Sequence, residues 1–378
     1  MNKHGKQILA PDRLQTMLDA LSSRGYEILG PTVRDGAILY DRIASVANLP
    51  VGCTERQEKG TYRLAKRSDD ALFSYVMGAN SWKRFLHVPE RRLMRAEKEG
   101  NRFTMAPDNE PAPMYAFFGM RSCEIHALDL MDRVLLKGPY VDQGYKARRE
   151  GIFIVAVNCA QPGGTCFCVS MNTGPKALQG FDICLTELMG GQHRLLVEAG
   201  SDRGEEILSE LPAEPATQAD LDAADRLMRD ASGHMGRKLD AEGLKDALYA
   251  ASNHSHWEEI AQRCLCCGNC TLVCPTCFCT TVVDKTDITG EKAERWRRWD
   301  SCFSQEFSCI HGGSVRLSAM SRYRQWLTHK LASWNDQFGD PGCVGCGRCI
   351  TWCPVGIDLT EEVQALRVAD QSQKGGSA

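Results

Sequence analysis

Apolar residues change their spacing along this chain in ways that divide it into recognisable elements. Leu14, Met17, Leu18 and Leu21 recur at helical intervals and predict a helix over 12–24, with Asp12 as its N-cap behind Pro11. Two short runs, YEILGP and GAILYDRI, follow on either side of a turn and predict a strand pair. MYAFFGM (114–120) and GIFIVAVN (151–158) are continuous enough to be buried strands, and SCEIHALDLMDRVLL (122–136) between them carries apolar residues at helical spacing. Strand, helix and strand of this length make a βαβ unit with parallel strands and a right-handed crossover. FDICLTEL and HRLLVEA add two strands joined through Gly190-Gly191, and the α/β domain is expected to end near 200.

Residues 201–247 are polar, charged and helix-favouring, and read as a helical connector. Beyond 248 the pattern SVRLSAMSRYRQWLTHKLASW is again helical. The expected fold is therefore α+β. It comprises an N-terminal α/β domain over 1–200 with a parallel βαβ unit, the connector, an α-helical domain over 248–365, and a disordered tail over 366–378. The basic stretch from Ser81 to Arg102 reads as a solvated helix face, with docking of an acidic partner surface as the alternative.

Composition narrows the function classes. A length of 378 residues with 43% hydrophobic residues suffices for two or three cored domains, and a net charge of -3 argues against a nucleic-acid partner. Eighteen consecutive apolar residues occur nowhere, so no membrane span is expected. The N-terminus MNKHGKQILAPDRL lacks an apolar stretch that would serve as a signal peptide, and nineteen cysteines then imply a reducing cytoplasm. Neither G-x-G-x-x-G after a strand nor G-x4-G-K-[ST] is found, so flavin or nicotinamide is expected on another subunit.

The cysteines carry the chemistry. Cys264, Cys267, Cys270 and Cys274-Pro275 are echoed by Cys343, Cys346, Cys349 and Cys353-Pro354, and both runs read C-x2-C-x2-C-x3-C-P. This is the run by which bacterial-type ferredoxins hold cubane clusters, the fourth cysteine ligating the other cluster. Two [4Fe-4S] clusters follow: the first on Cys264, Cys267, Cys270 and Cys353, the second on Cys343, Cys346, Cys349 and Cys274. Zinc explains C-x2-C pairs but not a third cysteine at the same interval, and disulfide frameworks belong to short secreted chains.

Residues 275–342 make too long a bridge for a small ββαβ ferredoxin and favour an α-helical one. The bridge also holds Cys277, Cys279, Cys302 and Cys309. For the first three, shielding or hydrogen bonding near cluster two, a further binding site and plain packing all remain open. Cys266, off register, is expected to face away, and Cys184 to pack.

A second group lies upstream. Cys123 follows the first βαβ strand and Cys159 the second, so both thiols sit at the sheet edge where open α/β folds bind ligands. The loop QPGGTCFC brings Cys166 and Cys168. The four are a candidate third cluster site, and a helix N-terminus would lower the Cys123 pKa. A redox-active thiol, a partner-facing loop and buried packing are the alternatives.

Taken together, RCLCCGNCTLVCPTCFC, RRWDSC, HGG and GCVGCGRCITWCPVGID, with GMRSCEIHALDLMDRV, ARREG, NCAQPGGTCFC and SMNTGP upstream, resemble a known family over roughly 30–360. The resemblance is to the β subunit of cytosolic NAD(P)-linked nickel-iron hydrogenases, the sulfhydrogenases, and to the closely similar electron-transfer component of anaerobic sulfite reductase. It implies a non-catalytic electron carrier. Its partners would be hydrogenase small and large subunits with a flavin/NAD(P)-binding subunit, or a sirohaem subunit with a flavin subunit. The other classes are a structural or sensing iron-sulfur module, and an enzyme using Glu124 or His126 at the Cys123 edge.

Overall fold

The computed structural model describes residues 5–107 and 111–375. Strand β1 (Gln7–Leu9) leads through a 3-10 turn at Pro11–Arg13 into helix α1 (Leu14–Ser23), whose Leu14, Met17, Leu18 and Leu21 are buried. Asp12 lies inside the turn and caps nothing, because Pro11 starts the turn with its fixed φ and Arg13 takes the N-cap place. Strands β2 (Glu27–Arg34) and β3 (Ala37–Arg42) pair antiparallel. A separate hairpin, β4 (Cys53–Glu58) with β5 (Thr61–Lys66), precedes the short helix α2 (Lys83–Leu86) and strands β6 (Glu90–Glu99) and β7 (Arg102–Pro107).

Next come β8 (Tyr115–Met120), α3 (Ser122–Leu135), α4 (Gln143–Arg149) and β9 (Phe153–Val157). β8 and β9 are parallel neighbours, and every residue in both is buried. Their unbroken apolar runs fit strands covered on both faces. β10 (Ile183–Leu188) adds in parallel to β9, and β11 (Arg194–Ala199) turns back antiparallel. With α5 (Asp202–Glu210), β12 (Glu214–Pro215) and α6 (Gln218–Gly233), the sheet reads β12-β1-β11-β10-β9-β8-β2-β3.

The segment read as a helical connector carries α5 and α6, which lie on this sheet. Side chains alternate along β11, so Leu195 and Val197 share a cluster with Ile207 and Leu208 of α5, whereas Leu196 meets Ala224 of α6 on the other face. β12 pairs with β1 at the sheet edge. The apolar stripes of α5 and α6 need a surface to cover them, and the sheet supplies it.

The remainder comprises α7 (Leu244–Ala250), α8 (His256–Arg263), α9 (Asn269–Leu272), β13 (Thr280–Thr286), β14 (Lys292–Trp299), α10 (Ala319–Thr328), α11 (Trp334–Phe338), α12 (Arg348–Thr351) and α13 (Leu359–Gly375). A π-helical turn, His329–Ser333, joins α10 to α11. Trp257, Phe303, Tyr323, Trp326, Ile350 and Val363 form a second core among these helices.

The bridge between the cysteine runs is not all helical. β13 and β14, rich in β-branched and aromatic residues, reach across to β6 and β7 and build a four-stranded sheet β13-β14-β6-β7. The basic run expected as a helix face is therefore mostly strand β6. Its charges pair across the ladder, Arg92 with Glu294 at 2.9 Å and Glu90 with Arg298 at 2.7 Å. α13 continues through Gly375, so most of the tail expected to be disordered is helical; its alanines, glutamines and Leu366 favour helix. Residues 376–378 of that tail lie outside the described residues. Among the described residues, no helix is long and apolar enough to cross a membrane.

Candidate metal centres

The two cysteine runs fold alike. In each, the third and fifth positions adopt left-handed backbone: Cys266 (φ 52°) and Gly268 (φ 75°) in the first, Gly345 (φ 65°) and Gly347 (φ 72°) in the second. Each loop curls back so that an N–H donates to the leading sulfur at 3.5 Å, Cys266 to Cys264 Sγ and Gly345 to Cys343 Sγ. The fifth-position glycine then opens a single helical turn, α9 or α12, that carries the third cysteine. Cys266 keeps the register with a side chain where its counterpart has none, and it is half-buried against the helical core rather than turned wholly away.

Cys264, Cys267 and Cys270 line one cavity with Cys353, which arrives from the end of the second run. Phe303, Tyr323 and Trp326 wall it. Burial pushes the Cys264 thiol up to about 11, and burial and the neighbouring sulfurs of Cys264 and Cys353 push Cys270 well above the usual thiol range.

Cys274 makes the reciprocal crossing. Burial raises Cys343, Cys346 and Cys349, Cys343 to about 12, and the charge of Cys274 raises all three further. Lys330, 4% exposed, donates to Cys274 Sγ at 3.2 Å, to Thr276 Oγ1 at 3.1 Å and to the Gly342 carbonyl at 3.0 Å. A second buried ammonium, Lys83, is spent on the carbonyls of Thr271, Leu272 and Cys277 and lies 4.2 Å from the centre of the Trp299 ring. None of these partners is a carboxylate, yet a buried cation is tolerated only opposite negative charge. Thiolate sulfur is the anion at hand, and a cluster held by four thiolates would supply it. Burial alone would lower Lys330, but the sulfurs of Cys274, Cys277, Cys343 and Cys349 hold it well above the usual ammonium range.

The upstream cysteines also converge. Cys123 sits in the first turn of α3 after β8, Cys159 follows β9, and both line one cavity with Cys166 and Cys168. Cys346 of the second run completes its wall. The loop 163–168 is pressed onto that run. Phe167 N–H donates to the Gly345 carbonyl at 2.8 Å and Thr173 Oγ1 to the Val344 carbonyl at 2.6 Å. A methyl group on Gly347 would lie 2.3 Å from the Thr165 carbonyl oxygen, so only glycine allows the approach. The helix start does not leave Cys123 acidic: burial, then the charge of Cys168, pushes its pKa well up. Cys168 is pushed up to about 12 for the same first reason. Unmetallated, these thiols favour the protonated form, so metal binding would release protons.

Glu124 is no surface acid. At 2% exposed it accepts from Arg348 Nη2 at 2.6 Å and from Trp82 Nε1 at 3.2 Å, and it also binds the Tyr40 hydroxyl. His126 Nδ1 lies 3.0 Å from the Ser122 carbonyl. Arg348, between Cys346 and Cys349, thus ties the second run to the first turn of α3 through a buried ion pair. Lys83, Lys330 and Arg348 carry no motif and were beyond sequence reasoning; a lysine flanked by apolar residues in SVRLSAMSRYRQWLTHKLASW was the only trace of Lys330. Cys184 is buried in β10, and Cys309 is exposed.

Donor chemistry and electrostatics agree: cysteines line the first and upstream cavities, and buried cations stand beside Cys274 and in the wall of the upstream one, surroundings that fit iron-sulfur clusters. The fold and site define an iron-sulfur protein with a dicluster domain, and a family model for a 4Fe-4S dicluster domain matches residues 263–357. Sulfhydrogenase 2 subunit beta of Pyrococcus furiosus is 33% identical over 316 residues, covering 82% of this chain and 90% of that protein. The chain belongs to the sulfhydrogenase β-subunit family, and as such is an iron-sulfur electron-transfer subunit. No solved structure matches it.

Proposed function

We propose that this chain relays single electrons between the small and large subunits of a nickel-iron hydrogenase module on one side and a flavin/NAD(P)-binding subunit on the other, in a reducing cytoplasm. One [4Fe-4S] cluster is held by Cys264, Cys267, Cys270 and Cys353, a second by Cys343, Cys346, Cys349 and Cys274, and a third by Cys123, Cys159, Cys166 and Cys168. When bound, each supplies one-electron redox chemistry. The chain's own residues bury these sites, donate N–H groups to sulfur and set the local charge, which are the levers that tune cluster potential.

One observation supports the relay most directly. Cys349 lines the first cavity and Cys346 the upstream one, so the second run lies between the other two sets of thiols. Such a row lets charge pass from one end to the other in short steps, with hydrogen activation and nicotinamide chemistry left to neighbours.

Iron and sulfide analysis of the anaerobically reconstituted chain tests the reading. Three clusters require roughly twelve irons per chain and two require roughly eight; about one zinc and no iron would overturn it. The reconstituted chain should take up electrons while turning over neither hydrogen nor sulfite alone. Cys270→Ser or Cys349→Ser should abolish electron transfer between partners while sparing their own dye-linked activities.

A further inference from the structure

Two cysteines at the base of the β13–β14 hairpin are left over from all three cages. Cys279 immediately precedes β13 and Cys302 stands three residues past the end of β14. The strands are in register down to the Thr280–Trp299 pair, and one further hydrogen bond, Asp300 N–H to the Cys279 carbonyl at 2.9 Å, closes the base. This brings the Cys279 and Cys302 sulfurs within hydrogen-bonding reach of each other. Neither lines the first cavity or the upstream one.

The surroundings suit redox chemistry better than packing. Cys302 is buried and Cys279 half-buried. Both feel the Lys330 ammonium, and Cys279 also that of Lys83. The hydrogen bond from Cys302, then those ammoniums, pull the Cys279 thiol down to about 7, while Cys302 is pushed far up. One thiol is thus disposed to ionise while its neighbour keeps the proton, the arrangement of an attacking and a resolving cysteine. The base of the hairpin is also held firm, because Trp299 Nε1 donates to the His87 carbonyl at 2.8 Å.

The pair also has a source of electrons beside it. Cys302 feels the charge of Cys270, and both thiols feel the Lys330 ammonium that donates to Cys274 Sγ, so the pair lies beside cysteines of both dicluster sites.

We infer that Cys279 and Cys302 form a redox-active dithiol that stores two electrons between the single-electron carriers. In the oxidised form a Cys279–Cys302 bond links the sulfurs. Two electrons, one from each reduced cluster beside the pair, and two protons from solvent break that bond and leave two thiols; the reverse returns the electrons. The inference rests on the relay reading, since the clusters are the reductant. It would let a one-electron wire exchange electrons in pairs with a hydride-handling partner.

The test uses the full reconstituted chain, oxidised and reduced through its clusters. It combines coulometric titration, iron analysis and mass spectrometry of alkylated cysteines, with Cys279→Ser and Cys302→Ser alongside wild type. Wild type should take up two electrons beyond those its clusters accept. The Cys279–Cys302 cross-link should be present when oxidised and lost when reduced. Each variant should keep all its iron and lose those two electrons. Loss of a cluster's iron in either variant would make that cysteine a ligand and overturn the proposal. Full iron with no additional electrons, both thiols alkylating equally in the two states, would also overturn it while leaving the relay intact. A wild-type chain that binds no iron would bring down the relay reading and this proposal together.

Discussion

Two cavities, each lined by five cysteines, are built in opposite ways. The first draws three of its cysteines from one short loop, Cys264 to Cys270. The upstream one collects Cys123 and Cys159 from just past the ends of two parallel strands and Cys166 and Cys168 from the connection between β9 and β10. Each has a fifth cysteine in its wall, and in both that fifth belongs to the second run: Cys349 in one, Cys346 in the other. Cysteines can be gathered by local spacing or by topology, and the donor atoms at the wall are the same.

The sharpest way to break this equivalence is to remove one ligand from each. Cys353→Ser and Cys123→Ser should each cost about one cluster, roughly four irons, as read by iron analysis and the low-temperature spectrum of the reduced chain. If Cys353→Ser loses iron and Cys123→Ser does not, the upstream cavity is no cage.

A second difference lies in how tightly each loop is enclosed. Gly347 touches the backbone of the upstream loop and Gly268 faces only the Ser301 side chain, 3.1 Å from where a methyl group would stand. Both have positive φ. Gly347→Ala should therefore destabilise by about 3 kcal/mol or more, combining strain with overpacking, and Gly268→Ala by about 1–2 kcal/mol. Denaturant midpoints compare them; equal losses would mean that the upstream loop does not hold the second run.

Charge is distributed just as unevenly. Lys330→Met removes the ammonium 3.2 Å from Cys274 Sγ. Reduction adds negative charge, so the potential of the second cluster should fall by the worth of a charged hydrogen bond, about 1.5–3 kcal/mol, or roughly 60–120 mV for one electron. The first cluster should move less, which a redox titration followed by electron paramagnetic resonance can resolve. The smallest effect is at Cys266, a side chain in left-handed backbone where the other run has glycine. Cys266→Gly should stabilise the chain by up to about 1 kcal/mol without changing its iron content.

Much of this organisation is legible without coordinates. Short unbroken apolar runs at 114–120 and 151–158 fit strands covered on both faces, and the C-x2-C-x2-C-x3-C-P spacing repeats within the chain. Periodicity misleads where an element depends on a distant partner. The charges of β6 lie without an apolar stripe and so resemble a solvated helix face; the strand forms where β14, some two hundred residues on, pairs with it antiparallel.

By itself, then, the sequence determined the donor set: cysteine identity and spacing decide which sulfurs are available and which of them share one short loop, and neither depends on the rest of the fold. Only the tertiary structure decided what surrounds those donors. It brought Lys330 to Cys274, Arg348 to Glu124 and Cys279 to Cys302, because burial and charge pairing are properties of packed neighbours rather than of neighbours in the chain.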